Sequence, residues 1–208
     1  MGTKFANGIP QLAAVGYDSG VDATAFLRGT VSLLRERNIK VGCIAQRLGM
    51  PLTASRRAML VEDLLTGRSL QISQDLGPQA RGCVLNSAAL AAATEFIRRA
   101  IDNRVNVLVG NRFGERETDS RGLRSELAEA AARGIIVLTA VKACHVDAWN
   151  DFGGQYAAIL EPKFQVVCDW IMDTVDANAA YRQLPGGNNE IAFEGEVTAV
   201  QPPFTAVQ

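Results

Sequence analysis

Residues 11–46 read QLAAVGY (Gln11–Tyr17), then DSGVDATAFLRGTVSLLRERN (Asp18–Asn38), then IKVGCIAQ (Ile39–Gln46). The first piece is a short apolar run bounded by Pro10 and by Asp18-Ser19-Gly20, which predicts a buried strand. In the second, Phe26, Thr30, Leu33, Leu34 and Arg37 recur at helical spacing and predict a helix over 21–37. Ser19 followed by Asp22 resembles a capping box, with Asp in place of the usual Glu or Gln, and Asn38 is a stop. The third piece is another strand. Strand, helix and strand at this length predict two parallel strands joined by a right-handed crossover.

Downstream, Arg47–Arg57 contains Gly49 and Pro51 and reads as a loop. Residues 58–64 and 69–73 read as short strands joined by Leu65-Thr66-Gly67-Arg68, an antiparallel insert or edge extension. QDLGPQARG (74–82) is a polar loop. A helix is expected over 87–103, capped by Asn86 or Ser87, with Leu90, Thr94, Ile97 and Ile101 on one stripe. VNVLVG (105–110) is a strand and NRFGERETDSRG (111–122) a loop. A helix over 123–133 stops at Gly134, and IIVLTAV (135–141) is a further strand. A short helix over 146–152 and a strand over 156–160 follow. This alternation predicts an α/β domain with a mainly parallel open sheet and helices on both faces.

Lys163–Gln183 reads as an amphipathic helix, with Phe164, Val167, Trp170, Ile171, Val175 and Ala179 among its apolar positions. It can pack on the body or on another subunit. Residues 184–208 contain LPGGNN and QPP and lack helical periodicity, so an extended tail is expected. The expected division is an α/β domain over 1–162 and a helix with tail over 163–208, the latter a candidate contact for homo-oligomers.

The chain has 208 residues, 48% of them apolar and 21% charged, a globular balance that excludes wholesale disorder. A net charge of −1 gives no overall pull toward nucleic acid or anionic membrane. There is no apolar run of about 18 residues, so no membrane insertion is expected. MGTKFANGIPQ lacks the apolar core of a signal peptide, and a cytoplasmic protein is expected. The four cysteines, Cys43, Cys83, Cys144 and Cys168, are scattered and read as reduced thiols. One histidine, His145, excludes a multi-histidine metal site within one chain. Of 21 basic residues, 17 are Arg. Arginine favours carboxylates, phosphates and other oxyanions, although GC-rich coding produces the same excess.

Ligands of open α/β sheets sit at the carboxyl ends of the strands. The first such turn supplies Gly16, Asp18, Ser19 and Gly20. Counted from Gly16, a phosphate-binding GxxxxGK[ST] loop would need Gly, Lys and a hydroxyl where this chain has Val21, Asp22 and Ala23, with Thr24 one place out of phase. The free N–H groups of the helix start favour an anion, whereas Asp18 and Asp22 oppose one. Gln46 and Arg47 end the second strand and are further candidates. In the loop after VNVLVG, Asn111 is a poor magnesium ligand, Arg112, Gly114 and Arg116 could hold an anion, and Glu115 and Glu117 could serve as acids. Arg81, flanked by Gly82 on one side and by GPQA on the other, is the arginine best placed for oxyanion binding, because glycine frees the backbone to donate as well. Cys144-His145 could be a nucleophile–base pair, though adjacent residues seldom have that geometry.

The set SQDLGPQARGC, VNVLVGNRFGERETDSRGL and ARGIIVLTAV, within Gln11–Leu160, resembles a bacterial family of unknown function. Its members are often labelled as molybdenum ABC-transporter ATP-binding proteins. That family is similar in turn to the thermophile-type nucleoside triphosphatases, which have a P-loop fold. Their DEIGKME pattern falls on Asn111–Glu117, where only Gly114 and Glu117 match strictly and Phe113 is a hydrophobic replacement. The resemblance implies a P-loop NTPase-like scaffold with degenerate motifs. Loss of the lysine, hydroxyl and metal-binding Asp removes transition-state charge stabilisation. The expectation is a non-hydrolytic protein that binds a small oxyanion or phosphate-bearing ligand, molybdate, tungstate or a nucleotide. The alternatives are a magnesium-dependent nucleoside triphosphatase using Glu115 and Glu117, and a structural or regulatory oligomerising protein.

Overall fold

Side chains alternate between two helical layers along each central strand, because successive Cβ atoms of a strand point to opposite faces. In the computed structural model, residues 10–53, 56–63, 66–73, 86–119 and 122–184 are described. In chain order the elements are β1 (Leu12–Tyr17), α1 (Ala23–Glu36), β2 (Val41–Thr53), β3 (Arg56–Asp63), β4 (Ser69–Gln71) and α2 (Ser87–Asp102). They continue with β5 (Val107–Val109), α3 (Glu115–Thr118), α4 (Arg124–Ala132), β6 (Ile136–Lys142), α5 (Val146–Gly153), β7 (Ala157–Leu160) and α6 (Phe164–Arg182). The strands form one seven-stranded sheet in the order β4-β3-β2-β5-β6-β1-β7. From β2 through β5, β6 and β1 to β7 all pairings are parallel, and β3 and β4 add antiparallel partners on the β2 side. The expected α/β class, mainly parallel sheet and small antiparallel part are therefore present, consistent with a P-loop-like scaffold.

Ala13, Val15, Val107 and Leu138 face a layer made by α1 and α6, where Leu27, Leu34, Val167 and Ile171 are buried. Leu12, Ala14, Leu108 and Val137 face the opposite layer, where Ile97 of α2, Leu127 of α4 and Trp149 of α5 are buried. Leu34 and Ile97 are each 0% exposed, and burying a side chain of that size contributes ~1.5–3 kcal/mol. On α6, the ring of Phe164 stacks on Phe26 of α1 at 4.5 Å and 6°. A methyl group on Gly29 would come within 2.8 Å of that ring, so glycine permits the close approach of α6 to α1.

Strand β1 lies inside the sheet. Leu12 pairs with Val137 on one side and Ala157 on the other, both in parallel register. The carboxyl ends of β1, β5, β6 and β7 therefore share one edge of the sheet.

Three local expectations need correction. Arg47–Arg57 is not a loop. β2 runs on to Thr53 and pairs antiparallel with β3, and two register shifts around Pro51 absorb the residue that has no N–H to donate. Ser19 does not cap α1; Asp22 does, accepting from Ala25 N–H at 3.0 Å. The 111–122 stretch contains a single-turn helix, α3, too short to show periodicity in sequence. The tail from 185 onward lies outside the described residues.

Candidate functional site

After β5 the chain stays beside β6. Gly110 N–H donates to Leu138 O at 2.8 Å and Phe113 N–H to Ala140 O at 2.9 Å. Asn111 and Arg112 lie between these two anchors at the carboxyl edge. The Arg112 guanidinium donates through Nη2 to Thr24 Oγ1 at 2.9 Å and lies 5.9 Å from the centre of the Tyr17 ring. One side chain thus ties the β5 loop to the end of β1 and to the first turn of α1. A cation over an aromatic face contributes ~0.5–1 kcal/mol where exposed. Among the expected site residues, this brings Arg112 next to the Gly16–Asp22 turn. Thr24 and Tyr17 are the partners that sequence reasoning did not assign. Thr24 carried a signal, since it sat one place from the hydroxyl position counted from Gly16.

The rest of that loop is built around Glu117, which is 8% exposed. Its Oε2 accepts from Gly114 N–H at 3.1 Å and its Oε1 from Leu123 N–H at 3.0 Å. Arg124 Nη1 donates to the Glu117 carbonyl at 3.2 Å, and Thr118 Oγ1 donates to Gly114 O at 3.0 Å. Gly122, at φ 68°, leaves no room for a Cβ beside the carboxylate. Beneath the loop, Phe113 meets Trp149 edge-on at 5.2 Å, and the Arg124 guanidinium sits 4.9 Å from the centre of the Phe152 ring. Both Glu117 oxygens thus hold backbone N–H groups on either side of α3, a clamp that fixes the loop's shape. Glu115 and Arg116 are exposed on α3.

At the β1–α1 turn, two of the N–H groups that a triphosphate cradle would use are already bonded. Such a cradle needs free N–H groups at the helix start. Here Ala23 N–H donates to Val21 O at 3.0 Å and Ala25 N–H to the Asp22 carboxylate at 3.0 Å. Asp18, Ser19, Gly20 and Asp22 are exposed. Two carboxylates border the turn; Arg112 reaches it from another loop, and Lys142 of β6 pairs in register with Tyr17.

A cavity of about 250 Å³ opens between the hairpin and the α3 loop. Ile44, Met59, Val61, Ile72 and Leu123 form its apolar wall, and Asn111, Arg112, Gly114, Glu115, Arg116, Glu117 and Gly122 the other side. Sequence reasoning missed the apolar wall because its residues come from separate segments, β2, β3, the residue after β4 and the residue before α4, that only the fold brings together. Gln46 and Arg47 are backbone-paired to Val61 and Leu60 inside the hairpin. Arg81 and Gly82 lie outside the described residues. The flanks of their interval meet at this wall, where Asn86 N–H donates to Ile72 O at 2.8 Å. Cys144 is exposed and His145 half-buried in a single 3-10 turn after β6, and neither has a hydrogen bond to the residues above. Among the described residues no group of three His, Cys, Asp or Glu side chains is placed to hold a metal ion.

A family described as "Protein of unknown function (DUF2478)" matches residues 12–170. A curated protein of Bradyrhizobium diazoefficiens, the molybdenum import ATP-binding protein ModC 2, is 37% identical over 164 residues. That stretch covers 79% of this chain but only 18% of the relative's own length. No solved structure matches.

Proposed function

We propose that this chain, which belongs to the DUF2478 family, binds a small oxyanion or phosphate-bearing ligand at the carboxyl edge of its sheet without hydrolysing it, in molybdate or tungstate handling. The observation that carries this reading is Arg112. It is pinned by Thr24 and Tyr17 at the mouth of the cavity that Arg116 also lines. A guanidinium held in place loses little freedom on meeting an oxyanion and offers a bidentate donor pair. The relative's name, which pairs molybdenum import with ATP binding, supports the ligand class. It does not supply the chemistry, because Asp22 stands at the lysine position of a phosphate-binding loop counted from Gly16 and takes a donor that phosphates would need. Glu117, the residue best matched to a hydrolytic pattern, is engaged as a clamp. Hydrolysis would require these groups to stabilise charge in the transition state.

Isothermal titration with molybdate, tungstate, inorganic phosphate and ATP tests the reading. At least one of them is expected to bind, with the R112A variant weakened by ~10-fold or more, the size expected for losing a charge-assisted hydrogen bond. Absence of heat with all four would end the proposal. Metal-stimulated phosphate release from ATP, lost in the E117Q variant, would replace it with the triphosphatase reading.

A further inference from the structure

A second cavity lies at the opposite edge of the sheet, where the helices end and the strands begin. It encloses about 480 Å³. Its walls carry Arg104, Arg133, Arg182, Asp102 and Asn106, with Ile135 among the apolar side chains behind them. The arginines come from the C-terminal ends of α2, α4 and α6. Arg133 is engaged: it bonds Glu129 at 2.7 Å and lies 3.8 Å from Asp102. Arg104 and Arg182 have no ion pair or side-chain hydrogen bond among the described residues. Some of their charge offsets the negative ends of the three helices, which carry only partial charges.

Arg104 itself is anomalous. Helices α1, α2 and α4 are each followed by a residue in the left-handed region: Asn38 at φ 61°, Arg104 at φ 48° and Gly134 at φ 72°. Glycine and asparagine suit that conformation, whereas arginine is strained there. Strained residues persist where their side chains are needed. Arg104 is strained, without a side-chain partner among the described residues, and placed in a cavity of about 480 Å³ beside two more guanidinium groups.

From these observations the geometry points to a second binding site, on the amino edge of the sheet, for a small polyanion carrying two or more phosphate or carboxylate groups. A single tetrahedral ion would fill a small part of so wide a cavity, and cations approaching from three helices suit charges spread over one molecule. This site is separate from the Arg112 site and does not depend on it.

Thermal unfolding tests it with pyrophosphate and citrate, against inorganic phosphate and sodium chloride at matched ionic strength. In the wild-type chain, pyrophosphate or citrate at tenfold excess over its Kd is expected to raise Tm by about 3–6 °C. Which of the two acts distinguishes phosphate from carboxylate recognition. The R104G variant removes the guanidinium and the strain together, so without ligand it should melt at or above the wild-type temperature yet lose the shift. R182A should reduce the shift and R112A should keep it. The proposal is overturned by no shift with either polyanion, by an equal shift in sodium chloride, by a full shift in R104G, or by loss of the shift in R112A.

Discussion

Gln11 and Asn178 exchange two hydrogen bonds in a buried site. Gln11 Nε2 donates to Asn178 Oδ1 at 2.9 Å, and Asn178 Nδ2 donates to Gln11 Oε1 at 3.0 Å. The pair joins the residue before β1 to the last turns of α6. An unmet buried amide costs ~1–3 kcal/mol. The N178L variant is therefore expected to lose about that much stability in urea unfolding, and the Q11L/N178L double variant to recover part of it. A single variant as stable as wild type would show that the pair does not hold α6.

Thr139 lies on β6 with 0% exposure, and its hydroxyl has no hydrogen-bond partner among the described residues. Valine has the same shape without the polar group. T139V is expected to be neutral or more stable by ~1 kcal/mol. Marked destabilisation in the same unfolding measurement would reveal a partner for the hydroxyl.

The Glu117 clamp makes two substitutions converge. E117A strands the N–H groups of Gly114 and Leu123 and should cost ~1–3 kcal/mol. G122A should do similar damage from the other side, because its methyl would displace the carboxylate from a backbone at positive φ. Melting both variants provides the check. An E117A chain that melts like wild type would free Glu117 from the structural role and make it available for chemistry.

Burial pushes the Cys43 thiol up to about 12, against smaller lowering effects from Arg35 and Arg28. A thiol whose folded pKa exceeds its unfolded value contributes stability that is complete below the unfolded pKa. That stability is lost as pH rises through the window from 9.0 to about 12. Wild-type Tm should thus fall more steeply than that of C43A between pH about 8 and about 11. Parallel slopes would contradict the assignment.

Native-state alkylation supplies a companion measurement. Cys144 is exposed while Cys43 and Cys168 are buried. Iodoacetamide should modify Cys144 rapidly and leave the other two unmodified until the chain unfolds, as read by peptide mass mapping. Early labelling of Cys43 would indicate that the α1 layer opens readily.

Most of the architecture could be read from apolar spacing, because strands such as IIVLTAV are buried on both faces and helices such as α2 on one. The hairpin was misread because Gly49 and Pro51 usually interrupt pairing, whereas here register shifts accommodate them. The carboxyl edge was legible as a location, since strand polarity follows from the βαβ order. Its wiring was not. Arg112 and Thr24 are 88 residues apart, and nothing local marks a guanidinium for a hydroxyl on another loop. Asp22 was legible as a charge opposing anions, but its service as the helix cap emerges only from the backbone geometry.

The position of β1 between β6 and β7 bears on how the chain is made. Strand β1 leaves the ribosome well before β6 and β7, the two strands that flank it. It must remain unpaired with its apolar face uncovered until β6 has been made, because contacts this distant in sequence form slowly and late. Nascent fragments ending before Ile136 should therefore be chaperone clients, with β1 the stretch that chaperones grip.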